Sequence, residues 1–396
     1  MTAQIDPKKT AEAAHNASAR ASPDRLQTGA LVIIAFAVVL FLLVQAKFLL
    51  ISLATAIVLF ALTSDAINFI ARQRIGPFRV PNWLASIAAL LLISTALLTL
   101  SSVILTQINT VLTTTLTYTD RAPEAMAAMF GWLGEDVERA VFDTVRSINV
   151  ASYLRSLAGQ AGNLMQGTVL VILFVGFLFA ERIWFSTKLT NFFGDPEQAE
   201  RVGLIIGSIM HRVNYYLLVK TLVSAITGVM VWAVAHLFGL ELAVAMGIIT
   251  FVLNYIPNVG SIIATGLVAL VAYVQLGDPA TTLAIFMIVG LIQFINGNVI
   301  DPMLMGRALR LSSFGIIISL AFWAAVWGIP GMFLSVPIMV GVMIVCSYVP
   351  ELRPIAILLS REGLPDDDPA VPPSKNERAD KKATAKLVSP ASTDDA

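Results

Sequence analysis

The sequence predicts an all-α protein that crosses a membrane several times, and three observations carry that prediction. Of its 396 residues 57% are hydrophobic and only 13% are charged, where an ordinary soluble domain carries roughly a quarter charged. Charge is gathered in residues 1–25, a few loops and residues 351–396, which leaves about eight hydrophobic segments of spanning or near-spanning length between them. Two of those segments are interrupted at their middles: Leu242–Leu276 by Ile256-Pro257-Asn258-Val259-Gly260, and Phe314–Cys346 by Gly328-Ile329-Pro330-Gly331. A helix rises about 1.5 Å per residue and a bilayer core is about 30 Å thick, so stretches of roughly 35 residues are too long for one span and short for two. Proline removes a backbone donor and glycine permits a sharp turn, so each stretch reads as a broken or re-entrant helical hairpin. Such backbone is tolerated at membrane depth only where protein or a watery cavity satisfies it, which points to a transport site.

Residues 1–25 are polar and Ala-rich and read as a disordered cytoplasmic terminus; residues 26–350 form the transmembrane domain. Leu26–Ala46 lacks a small-residue cleavage site, so the first span, Gly29–Ala46, is expected to be retained. With Lys47 and the shorter apolar run Phe48–Ser64 it reads as a tight hairpin. Arg72, Arg74 and Arg79 follow, with Pro77 and Pro81 breaking the helix. A third span begins at the interfacial Trp83 and reaches Gln107. Residues 109–162 are a polar insert in which Val137, Val141, Val145 and Ile148 recur at helical spacing between charged residues. That helix either packs on its own domain or serves as a substrate-gathering cap or partner-docking element. A fourth span covers Asn163–Ala180. Residues 181–215 hold a second amphipathic helix after Gly194-Asp195-Pro196, with Val202, Ile205, Ile206, Ile209 and Val213 on one face, and this helix is expected in the cytoplasmic membrane interface. Span five is Tyr216–Phe238, followed by the first interrupted stretch, a span at Thr281–Gly297, a polar segment at Asn298–Ser313 and the second interrupted stretch. Residues 351–396 read as a disordered cytoplasmic tail.

Lysines and arginines set the orientation. Lys8, Lys9, Arg20 and Arg25 place the N-terminus in the cytoplasm, and Arg182, Lys188, Arg201 and Arg212 return the middle loop there. The 109–162 insert, with four arginines against six carboxylates, suits the outside. The alternation is consistent if each interrupted stretch leaves on the side where it entered. Span-plus-hairpin then occurs twice in opposite orientations, over roughly 216–277 and 279–347, an inverted repeat of the kind that holds substrate between broken helices.

The candidate pathway residues follow from those breaks. In Gln293-Phe294-Ile295-Asn296-Gly297-Asn298-Val299-Ile300-Asp301-Pro302, amides and a carboxylate cluster at a helix end. They can coordinate a cation or a polyhydroxy solute, or Asn298 and Asp301 can be ordinary helix caps. At the first hairpin tip, Asn254, Asn258 and Ser261 offer hydrogen bonds, with Pro257 and Gly260 shaping the turn; the same residues also suit a plain extracellular turn. Pro302, Gly306, Pro330 and Gly331 shape the backbone elsewhere. The apolar interiors are read as almost free of ionisable groups, with no carboxylate in mid-span, and Asp65 and Asp301 are the candidates for coupling to Na⁺ or H⁺.

Several classes are excluded. No His/Cys cluster has metal-ligand spacing, and no nucleophile elbow or phosphate loop occurs, so neither an enzyme nor an ATP-driven motor is expected, and no cofactor. The lone Cys346 precludes an intrachain disulfide, and a net charge of zero gives no sign of nucleic-acid binding. The expected partners are the lipid bilayer and a small polar solute.

At these same residues the chain resembles the autoinducer-2 exporter (AI-2E) family of bacterial inner-membrane proteins. The resemblance rests on Ile-Pro-x-x-Gly at Ile256–Gly260, Gly-Asn-x-Ile-x-Pro-x-x-Met-Gly at Gly297–Gly306, and Gly-Ile-Pro-Gly-Met at Gly328–Met332 with Val336-Pro337 after it. The order of elements agrees over about 26–350. The family often has an acidic residue just before the Gly-Asn, where this chain has Asn296, and Pro-x-Gly-Pro at the first hairpin, where this chain has Asn258-Val259-Gly260-Ser261. The resemblance implies a secondary or facilitative exporter of a small polar solute in the inner membrane, a homo-oligomer, and, for some members, Na⁺(Li⁺)/H⁺ antiport. A scaffold acting through the insert or the tail is the remaining reading.

Overall fold

A computed structural model describes residues 27–361 and 363, apart from short segments at 73, 76–77, 80–81, 119–122, 125–126, 128–133, 148–149 and 306–310. Among the described residues it is a helical protein whose one β ribbon pairs Arg74–Ile75 antiparallel with Phe78–Arg79. Among the described residues seven helices are long and apolar enough to cross a membrane, and three shorter apolar helices accompany them. Counting each interrupted stretch once, these ten pieces make eight segments, the multi-pass pattern that composition implies.

The leading pair departs from the tight hairpin read from sequence. Helix α1 (Gln27–Gln45) meets α2 (Lys47–Arg72) at Ala46, whose N–H donates to Leu42 O while the Leu50 N–H donates to Ala46 O. The ladder of i→i−4 bonds therefore runs through the junction, and the chain passes Lys47 without a reversal. Neither proline nor glycine occurs at Gln45-Ala46-Lys47, so nothing forces the chain back on itself.

A scaffold forms where α2 meets α3 (Asn82–Tyr118) and α5 (Val150–Glu181). Ala56, Ala85, Ala89, Ile93, Val171, Val175 and Phe179 make its core. Small residues let these helices approach closely, the usual basis of helix association where lipid removes the hydrophobic drive. Both α3 and α5 run past the limits of the polar insert, so only its centre departs from them. There α4 (Glu135–Ser147) carries an Arg139–Glu135 ion pair one turn apart.

After α6 (Phe185–Phe193) comes the second departure. The expected interfacial helix and span five are one 42-residue helix, α7 (Pro196–Leu237), about 63 Å long. Asp195 accepts from the Glu197 N–H with Pro196 at the first helical position, a strong start signal. No residue between His211 and Tyr216 breaks the helix, so the amphipathic half continues into the apolar half.

Both interrupted stretches are indeed broken. Helices α8 (Ala243–Leu253) and α9 (Val259–Leu276) flank a turn where Asn258 takes φ 61°. Helix α10 (Pro279–Ile295) is capped by Asp278 and passes through a π-turn, Asn296–Ile300, into the short α11 (Asp301–Met305). Helices α12 (Ser313–Trp327) and α13 (Ile329–Tyr348) join at Gly328, φ 67°. Pro337 lies inside α13. The short α14 (Arg353–Leu359) folds back so that Leu359 O accepts from the Ser312 N–H. The tips of the two hairpins touch: Tyr255 stacks on Phe333 with ring centroids 4.3 Å apart.

Two further cores tie this half together. Val231, Ala235, Met246, Val268, Ile285 and Val289 join α7, the first hairpin and α10. Val213, Tyr216, Leu217, Val336, Val340 and Met343 join α7 to α13. At the start of α10 the Thr281 hydroxyl and amide hold the exposed Asp278 carboxyl below its ordinary range. A lowered folded value means that the cap's contribution is present above the unfolded value and is lost as pH falls through the folded one. Amide exchange at Ala280 and Thr281 should therefore accelerate in acid while the middle of α10 stays protected; uniform exchange along α10 would contradict this.

Candidate transport site

Three elements converge around a buried polar lane. Helix α7 contributes Tyr216, Lys220, Thr221 and Ser224, the first hairpin contributes Asn254 and Tyr255 at the end of α8, and the π-turn region contributes Gln293, Asn296 and Asp301. The α7–α8 contact is close because Gly228 and Gly247 face each other; a Cβ on Gly228 would lie 2.8 Å from Gly247 O. That approach brings the end of α8 against α7.

Along the lane the amides form a chain. Asn296 Nδ2 donates to Asn254 Oδ1 at 3.1 Å, and Asn254 Nδ2 donates to Ser224 Oγ at 3.0 Å. Each of the three is buried. Alongside, Tyr255 Oη donates to Thr221 Oγ1 at 2.7 Å. Immediately before Thr221 in the chain, Lys220 Nζ pairs with Asp301 Oδ2 at 2.7 Å, the lysine side chain 4% and the carboxylate 19% exposed. Near this chain are buried polar atoms without a hydrogen-bond partner among the described residues: both amide atoms of Gln293, Asp301 Oδ1 and Tyr216 Oη. Buried polar groups are normally paired, so such atoms mark a place where a polar ligand or water can bind. The π-turn stands between Gln293 and Asp301 along the chain. It replaces i→i−4 pairing with an Asp301 N–H to Asn296 O bond, a feature found often at functional sites.

The sequence-derived candidates divide accordingly. Asn254 and Asn296 meet in the lane, Asp301 pairs with Lys220 of α7, and Gln293 is buried one turn before Asn296. Asn298 is exposed and its amide donates to Phe294 O one turn back. Asn258 and Ser261 are engaged in the turn itself, the Ser261 hydroxyl donating to Asn258 O. Pro257 lies in the same turn, and Gly260 packs against Leu253 O. Pro302 and Pro330 are exposed near their helix starts, whereas Gly331 is buried against Trp323. Gly306 lies outside the described residues. Asp65 falls within α2 at a position whose side chain is outside them too.

Sequence reasoning missed Lys220, and the reading of interiors almost free of ionisable groups is corrected by it. Among the described residues it is the one charged side chain in the buried set. The signal was present: a single lysine within Leu217-Leu218-Val219-Lys220-Thr221-Leu222-Val223, and an intramembrane ionisable residue is a functional candidate by default. Thr221, Ser224 and Tyr216 were unremarkable because hydroxyls occur throughout membrane helices.

Comparison with known proteins finds relatives of the chain. The chain is 32% identical over 209 residues to the AI-2 transport protein TqsA of Escherichia coli K12, covering 52% of this chain and 59% of that one. It is 30% identical over 220 residues to a Borreliella burgdorferi protein named only for transport, covering 54% and 60%. A Haemophilus influenzae protein named in the same way is 28% identical over 292 residues, covering 71% and 82%. The first two matches thus span about three-fifths of those relatives' length. The profile of the AI-2E family transporters matches residues 31–350. With its apolar helices, its paired broken hairpins and that match over most of its length, the chain is a multi-pass membrane protein and belongs to the AI-2E transporter family.

Proposed function

We propose that the protein exports a small polar solute as a secondary or facilitative carrier, in the bacterial inner membrane with both termini cytoplasmic. The observation that carries this is the lane of Ser224, Asn254 and Asn296, with the buried Gln293 amide one turn before Asn296 and unpartnered among the described residues. Amides and hydroxyls donate and accept alike, which suits a solute rich in hydroxyl groups. The name of the Escherichia coli relative makes autoinducer-2 the first solute to test. Purified protein in proteoliposomes should move labelled autoinducer-2 or another small polyhydroxy metabolite faster than empty vesicles. Asn254→Leu strands Ser224 and Asn296 and should cut that flux about tenfold or more, since an unmade buried hydrogen bond costs about 1–3 kcal/mol. Wild-type flux in that variant would remove the lane from the pathway.

A homo-oligomer is part of the same proposal. Helix α1 is apolar on every side, with Leu31, Ile33, Phe36 and Phe41 each more than half exposed, and another copy or lipid must cover it. Deleting residues 27–45 should lower the mass of the detergent-solubilised assembly on light scattering; an unchanged mass would place the subunit contact elsewhere.

A second reading, Na⁺(Li⁺)/H⁺ antiport, is favoured by the buried Lys220–Asp301 pair. Asp301→Asn, whose amide can still accept a hydrogen bond from Lys220, should then fold with a lowered thermal midpoint and lose any dependence of flux on sodium; a retained dependence would discard Asp301 as the cation ligand.

A further inference from the structure

We infer that Lys220 and Asp301 form an electroneutral exchange site in which Lys220 carries the proton and Asp301 the monovalent cation. The inference rests on the antiport reading and adds to it the identity of the proton carrier and the stoichiometry.

Three observations lead there. The ammonium is 4% exposed and makes its ion pair with Asp301 Oδ2, so the carboxylate is the counter-charge that lets a buried lysine stay protonated. Asp301 Oδ1 has no hydrogen-bond partner among the described residues, which leaves one carboxylate oxygen open to a second positive charge. Asp301 opens the helix immediately after the π-turn, where the helical ladder has already been altered and adjustment is easiest.

The charge balance follows directly. With Lys220 protonated and Asp301 ionised, the pair is neutral. When a monovalent cation settles on the carboxylate, an ammonium beside it would leave an uncompensated positive charge in a low-dielectric interior. Lys220 therefore releases one proton from Nζ to water and remains as a neutral amine, and the pair with its cation is again neutral. Reprotonation on the opposite side expels the cation. One cation moves for one proton, no bond other than N–H breaks or forms, and no net charge crosses the membrane.

Among the described residues the titratable neighbours do not supply another proton carrier of this kind. Tyr216, one turn before Lys220, interacts electrostatically with Asp301 and Tyr255, and Tyr255 donates to Thr221; both are phenols. His211 and Arg212 lie two or more turns earlier on α7, and α13 brings only Cys346 and Tyr348 as titratable groups. Helix α10 brings the uncharged Gln293.

The test uses the full chain in proteoliposomes with an internal pH dye, a sodium jump outside, and the membrane potential clamped at zero or inside-negative with potassium and valinomycin. Wild-type vesicles should alkalinise inside on sodium addition, at the same rate under both clamps. Lys220→Gln should lose the proton movement by tenfold or more, yet admit ²²Na⁺ at a rate that now rises with an inside-negative potential. Lys220→Arg keeps the ion pair and the fold but holds its proton, so it too should lose proton movement. Wild-type proton movement in either variant overturns the inference, as does a voltage-sensitive wild-type rate. Loss of ²²Na⁺ entry in a Lys220→Gln protein of normal elution overturns it as well, because the carboxylate alone must bind the cation. Absence of any sodium-driven proton movement in wild type overturns both this inference and the antiport reading. Flux of labelled solute in the same vesicles then judges the export reading separately.

Discussion

Alanine at Gly260 should abolish transport and most of the folded protein. A Cβ there would lie 1.7 Å from Leu253 O and 2.6 Å from its carbonyl carbon, and at Gly331 2.0 Å from Trp323 O. These contacts are with backbone, which cannot rotate away as a side chain does. The two arms of each hairpin must part by more than an ångström to admit the methyl group, a displacement that costs about 3 kcal/mol or more in a packed interior. In the first hairpin that parting also moves Asn254, whose amide holds Ser224 and Asn296, so even protein that folds should transport poorly. The control is Gly266→Ala on the same arm, where nothing lies within 4 Å of the new Cβ; it should be neutral or gain about 0.5–1 kcal/mol from helix propensity. Monodisperse elution, thermal midpoint in detergent and solute flux measure all three variants. If Gly260→Ala behaves like Gly266→Ala, the close packing of the arms is not what defines the tip.

Why the breaks were readable and the site only half so comes down to which signals are local. Ile256-Pro257 and Ile329-Pro330-Gly331 break helices by covalent geometry, so they act wherever they occur, and the hairpins follow. The junction at Ala46 and the continuity of α7 through His211–Tyr216 were misjudged for the converse reason. A change in amphipathic character or a single lysine looks like a boundary, but without a breaker the backbone hydrogen bonds continue. Asn254, Gln293, Asn296 and Asp301 stood out because amides and carboxylates are rare in apolar runs. Their mutual arrangement was hidden, because it depends on the Gly228–Gly247 contact between α7 and α8 and on the π-turn. Asn298 shows the limit of composition: it belongs to the same polar cluster in sequence, yet it is turned outward to Phe294 O. Lys220 itself was legible as a lone lysine in an apolar run, but its pairing was not, because its partner is 81 residues away, a separation at which no spacing rule operates.

Removing one member of the Lys220–Asp301 pair should destabilise the protein far more than removing both. Asp301→Ala leaves an ammonium on a side chain 4% exposed with no counter-charge, and breaking a buried pair in this way costs about 3–5 kcal/mol. Lys220→Ala leaves a carboxylate that is 19% exposed, so residual hydration softens the loss and the effect should be the smaller of the two. Lys220→Met with Asp301→Leu removes both desolvated charges and replaces them with apolar volume, which is often neutral or stabilising. The expected order of thermal midpoints is therefore wild type and double variant highest, Lys220→Ala intermediate, Asp301→Ala lowest. A double variant as unstable as the sum of the singles would mean that the two charges do not interact, and the geometry at 2.7 Å would lose its meaning. A stable double variant without sodium-driven proton movement carries a further conclusion. A charge pair that stability does not require, held between a broken hairpin and a π-turn, is then retained for what its two charges exchange.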